Sequence, residues 1–127
     1  MKLLLDTNRL SDALAMLDEV IGNLESAEAV YVPVVALGEI RSGFAAGRRA
    51  AENETRLQWF LSQDGISSLG IDAPISHRYA EIHRALRSRG RPIPTNDLWI
   101  AAIALEHGLV VYTRDAHFAK VPGIACL

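Results

Sequence analysis

The order of apolar runs and turn signals predicts an α/β fold, three layers (α/β/α) with a mainly parallel sheet of roughly five strands between helices. Two observations lead there. Short apolar runs alternate with helical periodicities along the whole chain, with no hairpin signals between them. Leu3-Leu4-Leu5 is apolar at consecutive positions, as a strand buried on both faces must be.

Leu3 to Leu5 is the first predicted strand, and it ends on Asp6-Thr7-Asn8. Leu14, Leu17, Val20, Ile21 and Leu24 then recur at helical spacing, so one helix is expected from Ser11 to Leu24. Ala29 to Val32 is a second strand, closed by Pro33, whose missing N–H costs nothing at a boundary. Val34 to Phe44 places Ala36, Leu37, Ile40 and Phe44 on one helical arc, with Glu39 at its border beside Ser42 and Gly43. A polar connection from Gly47 to Asn53 leads to an amphipathic helix over Glu54 to Leu61. Ile66 to Ile71 fits a weaker strand. Asp72-Ala73-Pro74 then reads as an N-cap with Pro in the first turn, opening a helix from Ile75 to Leu86.

The most informative stretch runs from Pro94 to Asp115. Leu98 to Leu105 carries no charged or strongly polar side chain, so this helix is apolar all round and belongs in the core. Gly108 is placed as a C-cap, and Leu109 to Thr113 is rich in β-branched and aromatic residues. About eleven helical residues at ~1.5 Å span roughly 16 Å, and the returning strand at ~3.3 Å per residue covers a similar length. Asp97 at the start of the helix and Asp115 at the strand exit are therefore expected as neighbours. A short turn around Phe118 and a last strand from Gly123 to Leu127 complete the chain.

With 127 residues, half of them hydrophobic and 22% charged, the chain is expected to form one globular domain over residues 1–127. The N-terminal apolar run is too short for a signal peptide and no run suits a membrane helix, so a cytoplasmic protein with no membrane partner is expected. A lone cysteine, Cys126, excludes an internal disulfide and a cysteine zinc site, and is expected as a structural strand residue. The net charge of −2 is not that of a strong nucleic-acid binder, yet Lys2 and Lys120 are the only lysines and arginine supplies the rest of the positive charge.

In a parallel sheet, ligands bind beyond the carboxyl ends of the strands. Asp6, Glu39, Asp97 and Asp115 are all expected at that edge. Taken singly, each has a simpler role: Asp6 or Asp97 as a helix cap, Asp115 as a turn residue, Glu39 as half of an ion pair. For Glu39, however, the helical positions three and four away are Val35, Ala36, Ser42 and Gly43, none of them a partner. Taken jointly, four converging carboxylates repel and need shared protons or bound cations. Hard oxygen-seeking ions, Mg²⁺ or Mn²⁺, suit such a set, and a pair of them about 3.5–4 Å apart suits phosphodiester hydrolysis.

Four segments carry a resemblance: Leu5-Asp6-Thr7-Asn8, Leu37-Gly38-Glu39-Ile40, Pro94-Thr95-Asn96-Asp97-Leu98-Trp99-Ile100-Ala101-Ala102, and Thr113-Arg114-Asp115 with Phe118. In this order, over nearly the whole chain, the sequence resembles the PIN-domain ribonucleases of the VapC toxin type. The resemblance implies a PIN-like fold and an RNA endonuclease that uses Mg²⁺ or Mn²⁺. It also implies inhibition by a VapB-type antitoxin and a toxin homodimer. By the same match Asp6, Glu39, Asp97 and Asp115 are the metal-binding acids, with Thr7, Asn8 and Thr113 as hydrogen-bonding support. The chain departs from the pattern at Arg9, where similar proteins often carry an apolar residue, and in having no further acid in the turn after Asp115.

Arg84, Arg87, Arg89 and Arg91 precede the acidic edge; they suit either phosphate contact or the solvation of a helix face. His117 is expected as a lone surface histidine, and Trp99 as a core residue. Two other functional classes compete with the ribonuclease. A DNA flap nuclease or phosphatase would use the same acids, and only cleavage of the two substrates separates them. A non-catalytic regulatory domain of the receiver type would need a supporting lysine near the acids, and neither Lys2 nor Lys120 suits; no glycine-rich phosphate loop is present either.

Overall fold

The computed structural model describes residues 1–127. Strands β1 (Lys2–Leu5), β2 (Ala29–Pro33), β3 (Ile66–Leu69), β4 (Val110–Tyr112) and β5 (Ala125–Cys126) form one sheet in the order β3-β2-β1-β4-β5, and every neighbouring pair is parallel. Six helices cover it: α1 (Thr7–Leu14), α2 (Asp18–Ser26), α3 (Val34–Ala45), α4 (Ala50–Leu61), α5 (Ala73–Ser88) and α6 (Thr95–His107). A 3₁₀ turn at Ala116–Lys120 joins β4 to β5.

The pleat explains the apolar runs. Leu3 and Leu5 pack with Val30, Val32 and Tyr112 against α1 to α4, whereas Leu4 and Val111 pack against α5 and α6 on the opposite face. Successive side chains of a strand point to opposite faces, so a strand between two cores must be apolar at every position. The three layers follow from that alternation. Helix α6 is buried from Ile100 through Ala104, which accounts for a helix with no polar face. It ends at Gly108, whose φ of 65° and ψ of 40° lie in the left-handed region, with the Leu109 amide donating to the Ala104 carbonyl.

Three expectations about elements need correction. The helix expected from Ser11 to Leu24 is two helices, broken at Ala15–Leu17 where Met16 adopts a φ of 59°. The apolar spacing continues in phase across the break, so periodicity alone conceals it; Asp18 and Glu19, acids in the first turn of α2, mark the new start. Helix α4 begins at Ala50, inside the segment read as a polar connection. The last strand is confined to Ala125–Cys126.

The chain winds from β1 outward through β2 to β3, then crosses back to β4 on the other side of β1. The neighbours β1 and β4 therefore send their connections to opposite faces, which opens a crevice at their carboxyl ends. No helix is long and apolar enough to cross a membrane.

Two glycines should respond to alanine with opposite signs. Gly108→Ala places a side chain at positive φ and should cost about 1 kcal/mol, whereas Gly43→Ala, within α3 with open space around the new methyl, should add about 0.5–1 kcal/mol. Urea denaturation of the two variants measures both.

Candidate active site

Strand pairing sets the first contact. Leu5 lies opposite Tyr112 in the β1–β4 register, so the residues that follow, Asp6 and Thr113, leave the sheet side by side. The Thr113 hydroxyl donates to Asp6 Oδ2 at 2.5 Å and accepts from the Asp115 amide at 2.8 Å. One hydroxyl thereby joins the exit of β1 to the acid beyond β4. Asp6 Oδ1 meanwhile accepts from the Arg9 amide at 2.9 Å, as the N-cap of α1. Capping and a place in the site are thus compatible in a single carboxylate.

Asp97 lies in the first turn of α6, whose N-cap is Pro94, so Asp97 caps nothing and its carboxylate is available for the crevice. His117 is the group that expectation missed. Its Nδ1 lies 3.1 Å from Asp97 Oδ2 and 3.1 Å from Asp115 Oδ1, and its amide donates to Asp115 Oδ1 at 2.9 Å. Ligand atoms of Asp97, Asp115 and His117 all fall within 4.8 Å of one another. A lone surface histidine is therefore the wrong description. The local signal was Asp115 capping a 3₁₀ turn, which swings the residue two positions on back towards the cap.

Glu39 stands on the exposed side of α3, and Thr7 Oγ1 donates to its Oε1 at 2.8 Å. Its partner is thus from α1 and not from its own helix. Thr7 is the residue after Asp6, which sets Glu39 beside the β1 exit. Asn8 is exposed on α1 and makes no hydrogen bond through its side chain within the chain. Arg84, Arg87, Arg89 and Arg91 lie at the end of α5 and in the loop before α6, all exposed and none in an ion pair, whereas Arg9, Arg41, Arg49, Arg56, Arg78 and Arg114 are all paired. Trp99 is half-buried and stacks on Tyr79 with ring centroids 4.0 Å apart, as a packing residue should. Cys126 lies on β5 with its thiol exposed.

The electrostatics of the crevice are strained. Burial pushes the Asp6 carboxyl above its ordinary 3.8, the hydrogen bonds from Thr113 and Arg9 pull it down, and the charge of Asp115 pushes it up again. Burial also raises Asp97 above 3.8, opposed by its bond with His117 and reinforced by the charges of Asp115 and Asp6. No lysine or arginine forms an ion pair with Asp6, Glu39, Asp97 or Asp115. The site therefore holds more negative charge than the chain itself neutralises. Carboxylate oxygens in that condition fit a hard divalent cation.

A raised carboxyl pKa means that the folded state binds the proton more tightly than the unfolded chain. That contribution is complete below about 3.8 and is lost as pH rises through the raised value. In metal-free protein, Asp97→Asn should accordingly melt a few degrees above the wild type near neutral pH, on the order of 1 kcal/mol, with the gap closing as pH falls towards about 4. Calorimetry across pH tests this; a variant less stable at neutral pH would contradict it.

Comparison with known proteins agrees with the fold. The sequence profile of the PIN domain matches residues 3–124. Ribonuclease VapC4 of Mycobacterium tuberculosis is 38% identical over 95 residues, covering 73% of this chain and 72% of that protein. The VapBC-5 toxin–antitoxin structure of Mycobacterium tuberculosis contains a chain that superposes with a TM-score of 0.76 at 30% identity, covering 99% and 95% of the two chains. A chain in the VapBC2 structure of Rickettsia felis, 24% identical, shares the fold with a TM-score of 0.90 over 100% and 98%. A parallel sheet with acids gathered at its switch point, matched almost end to end by that profile, makes this chain a member of the PIN-domain family.

Proposed function

We propose that the chain is a metal-dependent endoribonuclease, the toxin of a toxin–antitoxin pair, acting on RNA in the cytoplasm. The observation that carries the reading is the gathering of Asp6, Asp97 and Asp115 at the β1–β4 switch point with no lysine or arginine paired to them. The relatives named as a ribonuclease and as part of a toxin–antitoxin system support the substrate and the pairing with a VapB-type antitoxin. A toxin homodimer is proposed on the family resemblance.

Asp6, Asp97 and Asp115 would hold the ion, with Glu39 completing the acidic rim through Thr7. Mg²⁺ or Mn²⁺ bound there would neutralise charge at the phosphate and make a water a better nucleophile at neutral pH. The chain's own contributions are positional. Thr113 fixes the rotamer of Asp6 and, through the Asp115 amide, the start of the turn. His117 Nδ1, when protonated, donates to the oxygens of Asp97 and Asp115 and so competes with a cation for them. In the reaction water attacks phosphorus, the bond to the leaving ribose oxygen breaks, and that oxygen takes up a proton. Arg84, Arg87, Arg89 and Arg91, exposed and free of carboxylate partners, would contact the flanking RNA phosphates.

Cleavage of total RNA with Mg²⁺ or Mn²⁺ tests the reading. Asp6→Asn and Asp97→Asn should each lower the rate about 100-fold or more while the protein stays folded. Unchanged cleavage in both, or cleavage of flap DNA with RNA left intact, would overturn it. Replacing Arg87 and Arg89 by Ala should weaken RNA binding at every sequence and reduce the dependence of log affinity on log salt by about 0.7 for each phosphate that is no longer neutralised. Filter binding at several salt concentrations measures that slope.

A further inference from the structure

Beside the acids lies a second polar cluster to which the proposed reaction assigns no part. Asp12, 8% exposed, meets two guanidinium groups at one oxygen, Oδ2: Arg9 Nη1 donates to it at 3.3 Å, and Arg114 Nη1 forms an ion pair with it at 3.2 Å. The two arginines are unlike. Arg9 is 17% exposed, lies over the Tyr112 ring at 4.6 Å, and has a buried Nε with no partner. Arg114 is 53% exposed, and it occupies the position between Thr113 and Asp115.

We propose that the Asp12–Arg114 bridge is a positioning device that fixes the turn carrying Thr113 and Asp115 against α1 and so sets how Asp115 stands relative to Asp6. The inference rests on the reading of the acids as a metal site. Helix α1 meets this turn at two places. At its start, Asp6 receives the Thr113 hydroxyl; six residues further on, Asp12 receives the Arg114 guanidinium. That second point lies roughly 9 Å along the helix axis at ~1.5 Å per residue. The turn's other ties run to the end of β5 and to α6, through the Thr113 amide on the Leu127 carbonyl and His117 on Asp97, so Arg114 adds the second tie to α1. Arg9 supplies the depth at which the second contact works: stacked on Tyr112 at the end of β4, it donates to Asp12 and holds that carboxylate where Arg114 can reach it. This gives a role to the arginine at position 9, where an apolar residue would leave the Asp12 carboxylate to Arg114 alone.

Charge and geometry make opposite predictions at Arg114, which allows a clean test. A positive charge near a cation site weakens binding by repulsion, so removing it for charge alone should tighten Mn²⁺ binding. Removing a group that orients a ligand should weaken it, by about 10-fold for supports of this kind. The experiment is titration of the purified chain with Mn²⁺, following the free-ion EPR signal, for wild type, Arg114→Ala, Arg114→Lys and Asp97→Asn. RNA cleavage kinetics and melting curves are recorded alongside. We expect Arg114→Ala to bind Mn²⁺ about 10-fold more weakly with a lowered kcat and little change in KM, and Arg114→Lys to recover part of the loss. Mn²⁺ binding by Arg114→Ala as tight as wild type or tighter would overturn the inference, as would an effect confined to KM, the mark of a substrate contact. Should Arg114→Ala fail to fold, Arg114→Lys must still bind Mn²⁺ more weakly than wild type. The two failures are distinguishable. Wild type and Asp97→Asn alike in Mn²⁺ binding would sink the metal site itself and the inference with it, whereas a difference between them with Arg114→Ala at the wild-type value would sink the bridge alone.

Discussion

The parallel pairing of β1 with β4 is the constraint on which the rest of the molecule depends. Leu5 opposite Tyr112 is an ordinary register of two apolar strands, yet it places the next residues, Asp6 and Thr113, within one hydrogen bond of each other although they are far apart in sequence. A shift of this register by one residue would exchange the side chains of β1 between the two cores and separate Asp6 from Thr113 at once. The core therefore protects the site. The same leucines that stabilise the sheet, each worth about 1.5–3 kcal/mol when fully buried, hold the acids in register without touching them.

What the core assembles, electrostatics opposes. Burial and the charge of Asp115 raise the affinity of Asp6 and Asp97 for protons, and no lysine or arginine forms an ion pair with any of the three. A protein selected for stability alone would place a lysine among such carboxylates. Its absence leaves a charge deficit that a divalent ion can fill. Function and folding thus pull against each other here. The cost is met by the hydrogen bonds that hold each acid: Thr113 and the α1 cap for Asp6, the 3₁₀ turn for Asp115, His117 for Asp97 and Thr7 for Glu39.

Much of this was legible in the sequence, for identifiable reasons. The helix and strand from Thr95 to Tyr112 could be placed because an apolar helix, a glycine stop and a β-branched run are strong local signals, and their lengths bring Asp97 near Asp115 by arithmetic. Asp6 was placed at the exit of β1 by the apolar run that precedes it, and Glu39 at the border of the buried arc of α3 by its helical periodicity. What escaped were features decided by single backbone angles or by distant partners. The break between α1 and α2 turns on the left-handed conformation of Met16, a residue type with no preference for it. His117 enters the site because a 3₁₀ turn curls back on its own cap, and Glu39 is held by a threonine thirty-two positions away. Arg9 stood out in the sequence only as a departure from pattern; the structure shows it stacked on Tyr112 and bound to Asp12.

The central claim is that the crevice at the β1–β4 switch point is a cation site built from acids of separate elements. Anomalous diffraction from a crystal of the wild-type chain grown with Mn²⁺ tests it most directly. A manganese peak is expected within coordinating distance of carboxylate oxygens from Asp6, Asp97 and Asp115. A crystal grown in excess Mn²⁺ with no peak there, or with manganese only at other carboxylates on the surface, would contradict the claim.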